Sequence, residues 1–390
     1  MPYKLLPSFQ AYPWGDLGYI QNLCNMQDRI GTPIAEMWLG AHPRSSSRIL
    51  VGEQLIPLNI AIEADPERHL GKAIDIYSKR LPYLFKVLAA AKPLSIQLHP
   101  DKQTAGEGFD KENALGIALD DPKRTYKDDN HKPELICALT PFTMLCGFRP
   151  YYEITSILEA FSLEKALQSA ANFIHKPSSF SLKLLYSELM HLQPEDIKQL
   201  VEQKMFAARA VNTLQNDIIE TCHTLQQFFP DDVGVLAPLF LNIITLKPGE
   251  ALFLKAGVLH SYIHGVGLEL MANSDNVIRG GLTDKYIDLD ALFSIADFSE
   301  YQTRILNPFT RQGVASYPSP TPEFQLVTIT VEGNFTFPIN RSPHIILVLE
   351  GTAYIPELGE LSIGEAAYYP ASELSIAMDG KARIAVVGIA

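Results

Sequence analysis

The sequence predicts a mainly-β fold: two small antiparallel barrels, with an α-helical domain inserted into the first. Three observations lead there. The chain has 390 residues, more than one core organises, so about two or three domains are expected. One strand texture occurs twice. Leu241–Leu246, the turn Lys247-Pro248-Gly249-Glu250 and apolar Ala251–Leu254 form the first copy. Ile345–Ala353, Leu361-Ser362-Ile363-Gly364-Glu365 and apolar Ala366–Tyr369 form the second. A strand, a Gly-Glu turn and a strand suit a small antiparallel barrel. Between residues 151 and 229 the chain is almost free of glycine and carries helical spacing.

Taken in order, Ala35–Gly40 and Ser47–Val51 read as strands stopped at Gly40 and Gly52. Pro66–Leu70 starts a short helix. Beyond Pro150, apolar Ile154, Ile157, Leu158 and Phe161 fall on one face of a helix spanning 153–167. Gln193-Pro194-Glu195-Asp196 reads as a helix start, with proline and acids in the first turn. A further helix is expected over 196–229, broken near Ala208. Strands return after Asp231. Residues 1–149 and 231–315 are therefore assigned to the first barrel, 150–230 to the helical insertion and 316–390 to a second barrel. The proline-rich stretch 316–322 is assigned as the linker.

Composition removes several classes. Hydrophobic residues make up 47% and charged residues 19% of the chain, as in a packed globular protein rather than a disordered one. A net charge of −12 opposes nucleic-acid binding, which needs a basic surface, but leaves room for a small anion held by a local cationic cluster. No apolar run approaches a membrane span, and the first residues lack a signal-peptide core. Cys24, Cys137, Cys146 and Cys222 form no CxxC pair, which points to a reducing compartment and away from a cysteine metal site. The expectation is a soluble cytoplasmic protein.

The chemistry starts at Leu94-Ser95-Ile96-Gln97-Leu98-His99-Pro100. Gln97 and His99, two apart in a strand, project from one face, while Ile96 and Leu98 point into apolar packing. Glu134 in Asn130-His131-Lys132-Pro133-Glu134 and His260 after Gly257 complete an N/O donor set suited to zinc. Taken singly, each has a plainer reading, since a buried histidine is usually a hydrogen-bonded core residue. The tail copy of the barrel texture has no histidine where His260 stands, so the second barrel is expected to lack metal. His264 is left out of the ligand set because Gly257 and Gly265 suggest strand and turn, and His42 is read as structural.

Longer motifs carry a resemblance. Gln97-Leu98-His99-Pro100-Asp101-Lys102, Tyr126–Glu134 and Gly267–Lys285 resemble segments of the type I mannose-6-phosphate isomerases, as do Tyr12-Pro13-Trp14-Gly15 and Ala35–Gly40. The likeness runs over roughly residues 1–310 in the same order. It implies a fold of two cupin, or jelly-roll, barrels with an inserted α-helical domain. It also implies an enzyme binding one Zn2+ per chain and interconverting mannose 6-phosphate and fructose 6-phosphate. The family's ligands fall on Gln97, His99, Glu134 and His260, and its catalytic arginine on Arg279. No nucleotidyltransferase segment is attached. The expected partner is a sugar phosphate, with no nucleic acid or membrane, and the chain is expected to act as a monomer.

Aldose–ketose conversion moves a proton between C2 and C1 through an enediol(ate). A bound zinc would offset the charge on oxygen, and the planar fork of Arg279 would hold it. Lys132, Glu269 and His131 are the candidate bases. Beside a dication, a lysine ammonium gives up its proton more readily. The plain alternative for Glu269 is a salt bridge to Lys285 at the cleft rim. Lys86, Lys285 and Lys102 are the candidate phosphate cations; Lys86 sits in the apolar run 81–91, from which it might otherwise snorkel to water. Other readings are an Fe(II) cupin oxygenase, poorly matched by a glutamine ligand, a sugar-phosphate-binding regulator without turnover, and an isomerase of another sugar such as glucose 6-phosphate.

Overall fold

A computed structural model describes residues 1–206 and 212–390. Two sheets dominate it, one of ten strands and one of eleven. The ten-stranded sheet is organised by the long strand His260–Ala272, which pairs with Tyr83–Ala90, Ile96–Leu98, Glu134–Ala138 and Phe142–Phe148. One strand serves four partners because it bends at Gly265. That glycine has φ of +126°, and a Cβ there would lie 2.6 Å from Pro141 O, an approach only glycine permits. The interior of this barrel is filled by Leu88, Ile136, Phe142, Met144, Leu252, Leu254 and Tyr262, among others.

The eleven-stranded sheet is built around His344–Ile355 and Ser375–Gly388. Tyr3–Leu6 pairs with Ala366–Tyr369 on one side and Arg48–Val51 on the other. Strands from the segment 1–149 thus take part in both sheets, and its first strand lies within the carboxyl-terminal sheet. The stretch assigned as a linker also lies beyond the start of that sheet, because Phe309–Arg311 and Val314–Ser316 already belong to it. A core containing Leu5, Ile49, Phe85, Leu268, Phe324, Leu347 and Tyr368 joins the two halves. Burial of each such side chain contributes about 1.5–3 kcal/mol, which explains why the amino-terminal strand is held there.

The repeated Gly-Glu turn is a structural repeat too. Glu250 Oε2 accepts from Lys247 N at 2.8 Å and Glu365 Oε2 from Ser362 N at 2.9 Å. Each glutamate thus closes its turn, and Gly249 and Gly364 supply φ of +87° and +80°.

The insertion is helical as expected, starting at Tyr151–Ala160. The long helix expected over 196–229 is divided. Pro194–Gln199 runs into a π-helical turn, Leu200–Phe206, and a separate helix, Thr213–Phe228, is capped by Asn212, whose side chain accepts from Gln215 N. The break expected near Ala208 lies outside the described residues. Apolar faces of these helices pack with Ile96, Leu98, Leu145 and Ile278. They therefore back the strands that carry Gln97, His99 and Arg279.

Two histidines of the second half make stability pH-dependent. Burial pushes His69 and His344 down to about 4 from 6.5. With folded values below unfolded ones, their contribution is complete above about pH 6.5 and is lost as pH falls toward 4. Thermal unfolding followed from pH 7 to 4.5 should show a falling Tm. In His344→Gln that slope should flatten; an unchanged slope would remove His344 from this account.

Candidate active site and metal centre

Three neighbouring strands present the donors. Gln97 lies opposite His260 on one side and opposite Arg279 on the other. Directly opposed residues have Cβ atoms about 4.5–5.5 Å apart, so this register alone gathers an amide, an imidazole and a guanidinium. Glu134 opens the strand Glu134–Ala138, opposite Met271. His99 Nε2 is 3.3 Å from Glu134 Oε1, and His260 Nε2 is 3.3 Å from Glu134 Oε2. Gln97 Nε2 is 3.4 Å from His260 Nε2; rotation of that amide offers its oxygen in the same place.

Backbone carbonyls aim the imidazoles. His99 Nδ1 is 2.7 Å from Asn276 O, and His260 Nδ1 is 2.9 Å from Val258 O. With Nδ1–H donated outward, each Nε2 faces inward with a free lone pair, the usual arrangement behind a metal-ligating histidine. Asn276 also organises the approach to Glu134. Its side chain accepts from Lys127 N at 2.7 Å and donates to Asp128 O at 2.8 Å and Asn130 O at 2.9 Å.

The residues fit a metal ion. His99, Glu134 and His260 are all buried, and they alone among the described residues form a possible metal-holding group. His99 Nε2 and both carboxylate oxygens of Glu134 are buried without a hydrogen-bond partner, although Lys132 Nζ lies 2.8 Å from Glu134 Oε1 at a poor angle. Buried acceptors left open this way are costly unless a cation completes them. Burial opposes the charge on Glu134, but the Lys132 ammonium and then His99 hold its carboxyl well below the ordinary range. Burial, assisted by Lys132, pushes His99 down to about 4, so its imidazole is neutral and able to ligate.

Around this centre the expected residues separate. Lys86 is buried, with Nζ 2.8 Å from Glu269 Oε2 and 3.5 Å from Glu36 Oε1. Burial works against its charge, yet Glu269 and then Glu36 raise its pKa above the ordinary lysine value. Its charge is thus matched within the wall by Glu269 and Glu36. Glu269 accordingly pairs with Lys86, not with Lys285. His131 is paired with the second barrel: its Nε2 lies 2.7 Å from Glu323 Oε1. Lys102 is exposed and donates to Asn130 Oδ1 at 3.1 Å. His264 is exposed on its strand. His42 is buried against Trp38, 3.6 Å from Asp275 Oδ2.

Arg279 is half-buried and, among the described residues, makes no hydrogen bond or carboxylate contact; burial alone lowers its pKa. Lys285 is lowered by desolvation and by the nearby charges of Arg279 and Arg44. Of these cations, Arg44 is paired with Asp275, its Nη1 3.1 Å from Oδ1. Sequence reasoning missed Glu36, Asn276 and Tyr262. The Tyr262 hydroxyl is buried beside Glu269 and Glu134, and its place two residues after His260 on one strand was the available signal.

Comparison with known proteins decides the family. Residues 3–151 match the model of the phosphomannose isomerase type I catalytic domain, and residues 157–241 that of its helical insertion domain. The mannose-6-phosphate isomerase of Escherichia coli is 38% identical over 98% of each chain. The chain belongs to the type I phosphomannose isomerases. The human mannose-6-phosphate isomerase is 34% identical, covering 90% of this chain and 88% of its own. Among solved structures, the Salmonella typhimurium enzyme bound to fructose 6-phosphate and zinc superposes with a TM-score of 0.91. It is 36% identical and covers 100% of this chain and 99% of its own. A zinc-bound mannose 6-phosphate isomerase, 35% identical with the same coverage, also gives 0.91. The cupin-type fold of this isomerase family thus agrees with the two strand-rich halves and the helical insertion. No helix among the described residues is long and apolar enough to cross a membrane.

Proposed function

We propose that this chain interconverts mannose 6-phosphate and fructose 6-phosphate through an enediol(ate), with one zinc ion held by Gln97, His99, Glu134 and His260. The observation that carries the reading is the buried His99–Glu134–His260 group with its open ligand atoms, in a chain similar throughout its length to zinc-bound phosphomannose isomerases. When bound, zinc supplies Lewis-acid stabilisation of negative charge on the sugar oxygens.

The chain's own residues do the rest. Lys132 is the base we favour, acting as the free amine: its Nζ lies 2.8 Å from Glu134 Oε1, at the edge of the proposed metal centre, while His131 pairs with Glu323 of the second barrel and Glu269 with Lys86. Lys132, as the free amine, takes the C2 proton of the open-chain aldose, and that electron pair forms the C1–C2 double bond while charge collects on O1. The O2 proton then passes to O1, the electron pair left on O2 forms the C2–O2 double bond, and the C1–C2 pair takes the proton back from Lys132 at C1. Arg279 holds the oxygen that carries the charge, because an unpartnered, partly dehydrated guanidinium gains most from an anion. Lys285, beside Arg279 and Arg44, receives the phosphate.

Every one of these residues comes from one chain, so the proposed working unit is a monomer. The four free cysteines fit a reducing cytoplasm. The division we propose keeps 1–149 with 231–315 as the catalytic part, 150–230 as the insertion and 316–390 as the second barrel, with Tyr3–Leu6 and Arg48–Pro57 lent to the latter's sheet.

A coupled assay of fructose 6-phosphate formed from mannose 6-phosphate, before and after chelation and zinc return, tests the reading. Activity should vanish with the metal and return with zinc. Turnover surviving complete metal removal would sink the zinc mechanism, and no turnover by folded, zinc-loaded protein would sink the substrate.

A further inference from the structure

We propose that Asp232, just after the last helix of the insertion, is a positioning residue for substrate phosphate, acting by clasping the turn that carries Lys285 beside Arg279. The inference rests on the phosphate role assigned above to Lys285.

The strand Ile278–Gly281 holds Arg279, and the turn after it carries Lys285, close enough for the two charges to influence each other. The turn uses unusual backbone. Gly281 has φ of +134°, and Leu282, a non-glycine residue, has φ of +53°. A leucine in the left-handed region is strained and persists only where its surroundings over-determine it. Asp232 supplies that determination. Its Oδ1 accepts from Leu282 N at 2.7 Å and from Gly234 N at 2.7 Å, and its Oδ2 accepts from Thr283 N at 3.0 Å. One carboxylate thus binds two consecutive amides of the turn and one amide of its own segment.

The packing leaves no slack. A Cβ on Gly281 would lie 2.9 Å from Gly234 Cα and 3.1 Å from Asp232 Oδ1, and a Cβ on Gly234 would lie 2.8 Å from Leu282 N. Leu282 itself is buried in the core that the insertion helices share with Ile96, Leu98 and Ile278. The far end of the loop is pinned as well: Asp288 caps the next helix through Ala291 N at 2.9 Å and accepts from Thr125 Oγ1 at 2.8 Å. Between these anchors Lys285 is exposed, its backbone N–H donating to Thr283 Oγ1 at 3.1 Å. Thr283 therefore touches both the clasp and the lysine. The segment leaving the insertion acts on the site through this contact, although Asp232 has no part in the metal centre or the proton transfer.

The test is a double-mutant cycle in the zinc-loaded full chain. Asp232→Ala removes the clasp, and Asp232→Asn keeps its shape while turning an amide against Thr283 N, so the second carries the test if the first fails to fold. Zinc content and Tm are measured beside kcat, the KM for mannose 6-phosphate and the inhibition constant of inorganic phosphate. Misplacement of a binding group by a fraction of an ångström should raise KM and the phosphate constant together by roughly tenfold, with zinc retained and kcat changed far less. In a Lys285→Ala background the same Asp232 substitution should add little, because its target is gone. Unchanged KM and phosphate constant in folded Asp232→Asn would overturn the proposal. An equal effect with and without Lys285 would overturn it too, reducing Asp232 to a general structural role. Lys285→Ala with wild-type phosphate affinity would instead refute the phosphate role on which the proposal rests, and the proposal with it.

Discussion

His99→Ala should lose metal and activity together. The site offers few donors, and this substitution removes the one imidazole fixed by Asn276 O and aimed at Glu134 Oε1. Losing even an outer partner of a metal ligand commonly costs about 10–100-fold in affinity, so losing the ligand itself should cost more. Zinc measured after dialysis should be substoichiometric, and the rise in Tm that zinc gives the parent chain should disappear, since only a native-state ligand stabilises by mass action. The loss should be specific rather than global: His99 sits just past its strand, and Ile96 and Leu98 keep their apolar packing. Circular dichroism and Tm of the metal-free forms should therefore remain close. Full zinc occupancy in His99→Ala would show that the ligand assignment is wrong. Full activity without zinc would show that the metal is dispensable.

How much of this was legible in the sequence depends on distance along the chain. Gln97 and His99 were readable because a period of two is local, and Ile96 and Leu98 mark the opposite face. That His260 and Arg279 would flank Gln97 was not, since strand register between residues so far apart is set by the closing of the barrel, not by either segment. The same limit explains Lys86. Inside an apolar run it reads as a lysine needing an escape to water or an anionic ligand. The ladder instead places Trp38 and Glu269 directly opposite it on its two neighbouring strands, and Glu36 completes the pairing. Burial then becomes tolerable because the charge is matched. The partner of His131 was not legible either, because Glu323 arrives from the far half of the chain. Tyr3–Leu6 joining the last sheet is the extreme case, with partners at Ala366–Tyr369. The insertion was readable as helical from periodicity alone, whereas the grip of Asp232, just after it, on Leu282 and Thr283 is a tertiary fact.

Arg279→Ala should separate binding from turnover. Arg279 is no ligand, so zinc should stay at one per chain. Arg279 lies opposite Gln97 in the ladder and, among the described residues, its guanidinium has no carboxylate partner. None of the described residues neutralises it, so its removal strands no buried countercharge among them; folding should be little affected. What is lost is a preorganised donor where negative charge develops, and removing one such donor typically slows turnover by about 10²–10³-fold. The fall should appear in kcat. If Arg279 served only to hold phosphate, KM would rise and kcat would stand, because that contact is equal in ground and transition states. Arg279→Lys sharpens the test: it restores the charge without the planar fork, so it should recover part of the rate if charge matters and little if paired hydrogen bonds do. Normal kcat in zinc-loaded Arg279→Ala would end the argument for a transition-state role, leaving Lys132 and the metal to carry the charge between them.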